Sequence, residues 1–150
     1  MLKVGDNAPD FTLPDEDGRT VTLSTLLSAG PVVLVFYPRD FSPACTRQLS
    51  MIRERHKKLR AAGIVVLGIS TDDVDSHHRF RQALDLPFRL LADVDQRVCH
   101  AYDVLGLFGA NTRRVTYVVG RDGRIAGVAK ATLRMQTHEA LVRRVLARRG

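Results

Sequence analysis

The sequence predicts an α/β fold with a mixed central sheet, helices on both of its faces and a small N-terminal hairpin. Three features predict it: an apolar, β-branched run at Val32–Tyr37, a second at Ile64–Ile69 beyond a helical stretch, and two late strand-like runs joined by Gly120-Arg121-Asp122-Gly123. Strand, helix and strand in that order give a parallel pair, whereas the glycine-bracketed turn signals a hairpin and an antiparallel edge.

From the N-terminus, Phe11 and Leu13 alternate, the chain turns through Asp15, Glu16, Asp17 and Gly18, and alternation resumes at Val21 and Leu23. Ser24 reads as the N-cap of one or two helical turns ending near Gly30. The run from Val32 is apolar on both faces, as a central strand requires. Leu49, Ile52, His56 and Leu59 recur at helix spacing and place a helix from about Pro43 to Ala62. A helix over Val74 to Leu84, a short strand at Leu90 and Leu91, and a helix from Gln96 to Val104 follow. Strands at Arg114–Val119 and Arg124–Ala129 and a basic amphipathic helix from Thr137 to Arg148 complete the chain. With 150 residues and no repeat or linker, it reads as a single domain over 1–150.

Apolar residues make up 45% of the chain and charged residues 26%, which excludes a disordered protein. The net charge of +7 would suit a nucleic acid. Much of it, however, is Arg134, Arg143, Arg144, Arg148 and Arg149 near the C-terminus, without interleaved aromatics to stack on bases, and reads as a solvated face. No nucleic-acid partner is expected. The first residues show no secretory pattern and the longest apolar run, Pro31–Tyr37, is too short for a bilayer, so the expectation is a cytoplasmic protein with no membrane partner. Two cysteines, Cys45 and Cys99, are too few for a disulfide scaffold.

Cys45 falls where a buried strand has ended and a helix begins. With Ser42 as N-cap, Pro43 takes the first helical position and Cys45 the third. The sulfur then sits in the first turn, where free N–H groups and the helix dipole favour an anion, the nucleophilic form of a thiol. Arg39 and Arg47 are near in sequence. The histidines at 56, 77, 78, 100 and 138 share no metal-ligand spacing with the cysteines, and His77-His78 reads as a solvated helix start; neither metal nor other cofactor is expected.

Pro38, Ser42 and Cys45 reproduce the spacing of the peroxiredoxin active-site motif, and the likeness runs on through Val4-Gly5-Asp6-Asn7-Ala8-Pro9-Asp10-Phe11-Thr12-Leu13, Phe36-Tyr37-Pro38, Leu91-Ala92-Asp93, Tyr102 and Arg114-Val115-Thr116-Tyr117-Val118-Val119. The chain resembles the bacterioferritin-comigratory, or Q-type, branch of that family. The resemblance implies a thioredoxin-like fold and a thiol-dependent peroxidase that reduces hydrogen peroxide and organic hydroperoxides through a Cys45 sulfenic acid in antioxidant defence. It assigns Cys45 the attack, Ser42 a hydroxyl that bonds substrate oxygen and sulfur, Pro38 the shielding of the thiolate, and Arg114 a cation reaching the site from across the sheet. By residue type alone, Arg114 is a surface arginine at a strand edge.

The sequence departs from the family at two positions. Ser42 stands where most relatives have threonine, which keeps the hydroxyl but loosens χ1 and implies lower turnover. Ser50 occupies the position five residues after Cys45 where many relatives carry a resolving cysteine. Cys99 lies beside the edge of a stripe formed by Val98, Ala101, Tyr102 and Leu105 and reads as a half-buried small side chain. The expectation is a one-cysteine mechanism, with thioredoxin, glutaredoxin or a small thiol as reductant, in a monomer or weak homodimer. The alternatives are a basic thioredoxin-fold binding module and a thiol-disulfide oxidoreductase without peroxidase activity; the latter normally needs Cys-x-x-Cys, and Ser42 occupies its first position.

Overall fold

The computed structural model describes residues 1–106, 112–130 and 135–149, the last stretch partly by backbone alone. Seven strands and five helices are defined in it: β1 (Thr12–Pro14), β2 (Thr20–Thr22), α1 (Leu23–Leu27), β3 (Val32–Phe36), α2 (Pro43–Ala61), β4 (Val65–Ser70), α3 (Val74–Leu84), β5 (Arg89–Ala92), α4 (Arg97–Ala101), β6 (Val115–Val119), β7 (Ile125–Lys130) and α5 (Met135–Arg149). The main sheet has the order β5-β4-β3-β6-β7, and β1 and β2 form a separate hairpin. β3, β4 and β5 run parallel, whereas β6 pairs antiparallel with both β3 and β7. The expected mixed sheet is therefore present, with β3 at its centre.

Strand periodicity divides the interior into two cores. Val32, Leu34 and Phe36 of β3 point to one face, where they meet α1, α4, the β1–β2 hairpin and Tyr117 of β6. Val33, Val35 and the following Tyr37 point to the other, against Leu49, Ile52 and Leu59 of α2, Phe80 of α3 and Leu141 and Val142 of α5. Every residue of β3 is buried on both sides of the sheet, which is why the run carries no polar alternation. Helices thus cover both faces, as predicted. Gly123, at φ +78°, supplies the left-handed position of the β6–β7 turn.

Some local expectations are corrected. The N-cap of α1 is Thr22, not Ser24; the Ser24 N–H instead donates to Asp10 Oδ1 at 2.9 Å, so a carboxylate from before β1 closes the helix start. The helix expected over Gln96 to Val104 is shorter, because Gln96 (φ +66°) and Asp103 (φ +52°) take left-handed conformations just outside α4. Asp93, itself buried, accepts the N–H groups of Val98 and Cys99 at 3.2 and 2.7 Å and holds that helix against the sheet. His77 is fully buried rather than solvated; His78 alone is partly exposed, 3.3 Å from Asp17 Oδ1. Arg143 and Arg144 are exposed on α5 as expected, while Arg134 and the side chains of Arg148 and Arg149 lie outside the described residues. No helix among the described residues is long and apolar enough to cross a membrane.

Candidate active site

The loop leaving the C-terminal end of β3 enters α2 within a few residues, at the edge of the sheet where open α/β folds commonly place their ligands. Ser42 is the N-cap, with extended backbone (φ −69°, ψ 146°), and Pro43 occupies the first helical turn. Ser42 Oγ accepts the Cys45 N–H at 3.3 Å and donates to the Arg39 carbonyl at 3.2 Å. Cys45 therefore sits in the first turn, as the sequence predicted. Its side chain is completely buried.

Arg114 is the residue before β6, and its Nη1 donates to Cys45 Sγ at 3.4 Å. The guanidinium is also buried, so its attraction for a sulfur anion is little screened by water. The same Nη1 donates to Gln48 Oε1. Gln48 is a site residue that the sequence reading did not identify. It is fully buried, and its Nε2 has no hydrogen-bond partner among the described residues, which leaves a donor within the Cys45–Arg114 cluster. Its signal was there to read: a polar residue one turn after Cys45, on the face of α2 that otherwise buries Leu49, Ile52 and Leu59.

Pro38, Arg39, Ser42, Gly106, Thr112, Arg113 and Arg114 line a mouth of about 460 Å³, and Ser42 and Arg114 in its wall are the residues that bond Cys45. Pro38 is half-buried at its wall, and Arg39 and Arg113 are exposed at its rim. Arg47, the other cation near Cys45 in sequence, points to solvent from α2. All four residues read from the motif and its resemblance, Cys45, Ser42, Pro38 and Arg114, thus converge on one place.

Beneath the loop lies a buried polar network. Asp40 Oδ1 accepts the Tyr37 hydroxyl at 2.6 Å, and Asp40 Oδ2 accepts the Ser76 hydroxyl at 2.8 Å and lies 2.7 Å from His77 Nδ1. Burial and the Asp40 carboxylate push the Tyr37 phenol well above its ordinary range, so it serves as a donor. Asp40, Asp72 and His77, a group among the described residues near the site, bring their possible ligand atoms within 4.8 Å of one another. Both Asp40 oxygens accept hydroxyl hydrogen bonds, and Asp72 Oδ2 accepts the Ser70 hydroxyl and the Asp40 N–H, so these carboxylates serve as hydrogen-bond acceptors that tie the loop together. Phe41, next in the chain, has φ +67°, which costs a non-glycine residue about 1–2 kcal/mol, and its ring packs 4.9 Å from that of Phe80.

Cys99 has the opposite environment. It is fully buried, not half-buried as expected, and belongs to the core on the other face of the sheet from Cys45. Burial and the Asp93 carboxylate push its thiol far above the ordinary range, whereas the Cys45 sulfur meets a guanidinium.

A buried cysteine at a helix start, a capping hydroxyl and an arginine on the sulfur, mounted on a thioredoxin-like sheet, define a thiol-dependent peroxidase. The chain belongs to the AhpC/TSA family, whose profile matches residues 4–128, and within it to the bacterioferritin-comigratory, Q-type peroxiredoxins. It is 40% identical over 133 residues to a Coxiella burnetii protein named as a peroxiredoxin of the bcp kind, covering 85% of this chain and 87% of that one. With the chloroplastic peroxiredoxin Q of Suaeda salsa it shares 41% over 135 residues, 89% of this chain but only 63% of that longer relative. Among solved structures, peroxidoxin BcpB of Mycobacterium tuberculosis superposes with a TM-score of 0.90 at 33% identity, covering 98% of this chain and 97% of that one. The Xanthomonas campestris bacterioferritin comigratory protein, studied for alkyl peroxide reduction, gives a TM-score of 0.83 at 25% identity over 93% and 92% of the two chains.

Proposed function

We propose that Cys45 is the peroxidatic residue of this enzyme and that Arg114, Ser42 and Pro38 complete its site. The observation that carries this reading is the 3.4 Å contact from Arg114 Nη1 to Cys45 Sγ at a serine-capped helix start. The Cys45 thiolate attacks the terminal oxygen of a hydroperoxide; the S–O bond forms as the O–O bond breaks, and the departing oxygen takes a proton to leave as an alcohol or water. Negative charge grows on that oxygen in the transition state, so preorganised donors there lower the barrier. The Arg114 guanidinium is a donor of that kind, the Ser42 hydroxyl becomes one by turning its single proton from the Arg39 carbonyl to the substrate, and Pro38 at the wall of the mouth keeps water off the sulfur. Cys45 becomes a sulfenic acid. A thiol then displaces its oxygen as water to give a mixed disulfide, and a second thiol restores the thiolate and leaves as a disulfide.

The substrates are hydrogen peroxide and small organic hydroperoxides, the latter supported by the alkyl peroxide reduction for which the Xanthomonas relative was studied. The mechanism uses one cysteine. Ser50 stands where a resolving cysteine would be, and Cys99 lies in the core on the far side of the sheet. The reductant is accordingly external: thioredoxin, glutaredoxin or a small thiol. The enzyme acts in the cytoplasm as one domain spanning 1–150, a monomer or weak homodimer with no nucleic-acid or membrane partner. Titrating the reduced protein with peroxide and mapping the product by mass spectrometry tests the assignment. One sulfenic acid on Cys45 per equivalent supports it, and peroxide consumption that survives Cys45→Ser overturns it.

A further inference from the structure

At the end of the sheet opposite Cys45, where the parallel strands β4 and β5 begin, lies a second cavity of about 350 Å³. Four basic side chains line it: His56 and Arg60 toward the end of α2, Arg81 of α3 and Arg89, the first residue of β5. Ile64 and Phe88 add apolar surface, and the Phe88 ring packs 5.8 Å from the His56 imidazole. The volume is that of a small-ligand site, and peroxide reduction at Cys45 uses none of these residues.

Two buried carboxylates fix two of the cations from behind. Glu16 Oε1 lies 3.6 Å from Arg81 Nε and Asp15 Oδ2 lies 3.8 Å from Arg89 Nε, and the two acids bring carboxylate oxygens within 4.8 Å of each other. The two guanidiniums are thereby held side by side. Both acids are buried, whereas Arg81 and Arg89 are partly exposed, so the charge presented at the cavity is positive. Arg81 Nε also donates to the Leu86 carbonyl at 3.0 Å, but among the described residues the terminal nitrogens of Arg81 and Arg89 make no hydrogen bond and Arg60 makes no ion pair. The carboxyl end of α2 favours a cation at Arg60, but it does not account for the two that cross over from α3 and β5. Three guanidiniums against two carboxylates leave an excess of positive charge in one concave site, where it attracts an anion most strongly.

We propose that this cavity binds a small organic phosphate, with its dianionic phosphoryl group on Arg60, Arg81 and Arg89 and a short apolar body against Ile64 and Phe88. A carboxylate is satisfied by one guanidinium, whereas the three terminal oxygens of a phosphate monoester match donors contributed by three separate elements. His56 responds to the ligand. Burial and the Arg60 guanidinium hold its imidazole below the ordinary range, so it is neutral at pH 7 in the free site. The charged groups around the cavity are Arg60 on the same helix, Arg81 and Arg89, with Glu16 and Asp15 behind those two; α1 and β4 bring none. A dianion among them raises the His56 pKa, so affinity increases as the pH falls through the raised value.

Calorimetric and NMR titration of the reduced protein with phenyl phosphate tests the site, and inorganic phosphate and phenol probe the anion and the apolar body separately. The test needs no peroxide and is independent of the role of Cys45. At about 50 mM ionic strength, phenyl phosphate is expected to bind about tenfold more tightly than inorganic phosphate, and phenol not measurably. The His56 ring resonance, assigned with His56→Gln, shifts on saturation and its pKa rises. Arg60→Ala weakens binding about tenfold, the effect of losing one charge-assisted hydrogen bond. Arg79→Ala removes the same charge from an exposed position of α3 outside the cavity and leaves the affinity within about twofold. Should Arg60→Ala not fold, Arg60→Gln carries the comparison with Arg79→Ala. No saturable binding of phenyl phosphate below about 10 mM overturns the proposal, as does inorganic phosphate binding as tightly as phenyl phosphate. Equal weakening by Arg60→Ala and Arg79→Ala, or shifts around Cys45 and Arg114 with none at His56, overturns it as well.

Discussion

Arg114 Nη1 reaches Cys45 Sγ at 3.4 Å although the two residues lie 69 positions apart, and the strand register is what brings them together. Val115 pairs with Phe36, so the residue before β6 arrives beside Tyr37 at the sheet edge from which the Cys45 loop departs. Arg114 and Tyr37, each one step beyond that pair, point to the same face. Arg114→Ala is expected to slow oxidation by peroxide by about two to three orders of magnitude, the scale of losing one preorganised donor. Stopped-flow measurement of the second-order rate constant checks it; a value near wild type removes Arg114 from the mechanism.

Gln48 holds that guanidinium through its Oε1. Gln48→Leu fills similar volume but leaves Arg114 without this acceptor, and about a tenfold loss in the oxidation rate is expected from misorientation. The melting temperature should change little, since removal also eliminates the unpartnered Nε2. A large stability loss with an unchanged rate would make Gln48 a packing residue only.

Ser42 serves as helix cap and as hydroxyl donor, and two substitutions separate these parts. Ser42→Ala should lower stability by about 1 kcal/mol, the usual cost of a lost cap, and slow oxidation as well. Ser42→Thr keeps cap and hydroxyl and stiffens χ1, so the rate should equal or exceed that of wild type. Denaturant unfolding and stopped flow on the two variants check these outcomes; a threonine variant slower than alanine contradicts them.

The environments of the two cysteines predict opposite reactivity. Burial and Asp93 raise the Cys99 thiol, so it stays protonated until the pH climbs far above neutrality, and thiolate forms only beyond that point. Between about pH 7 and 9, iodoacetamide should modify Cys45 and leave Cys99 intact in the folded protein. Cys99→Ala should retain turnover with an external thiol. A Cys45–Cys99 disulfide after one equivalent of peroxide, with turnover lost in Cys99→Ala, would refute the one-cysteine mechanism.

Much of this molecule is determined by local chemistry and was legible from the sequence. Two-sided apolarity fixed Val32–Phe36 as the central strand, a glycine-bracketed turn fixed the β6–β7 hairpin, and the order serine, proline, cysteine fixed a capped helix start with the sulfur in its first turn. Those signals depend only on neighbours in the chain. Arg114 was visible through family resemblance alone, because nothing local distinguishes it from a surface arginine. His77 and Cys99 were misjudged as solvated and half-buried because the exposure of a residue at a helix start or stripe edge is set by what packs over it, here the Asp40 loop and the Asp93 carboxylate. The tertiary structure decided those points, along with the Gln48–Arg114 bond and the separation of the cysteines on two faces of the sheet. Each is a contact between distant segments, and such contacts follow from strand register and burial, which no short window of sequence specifies.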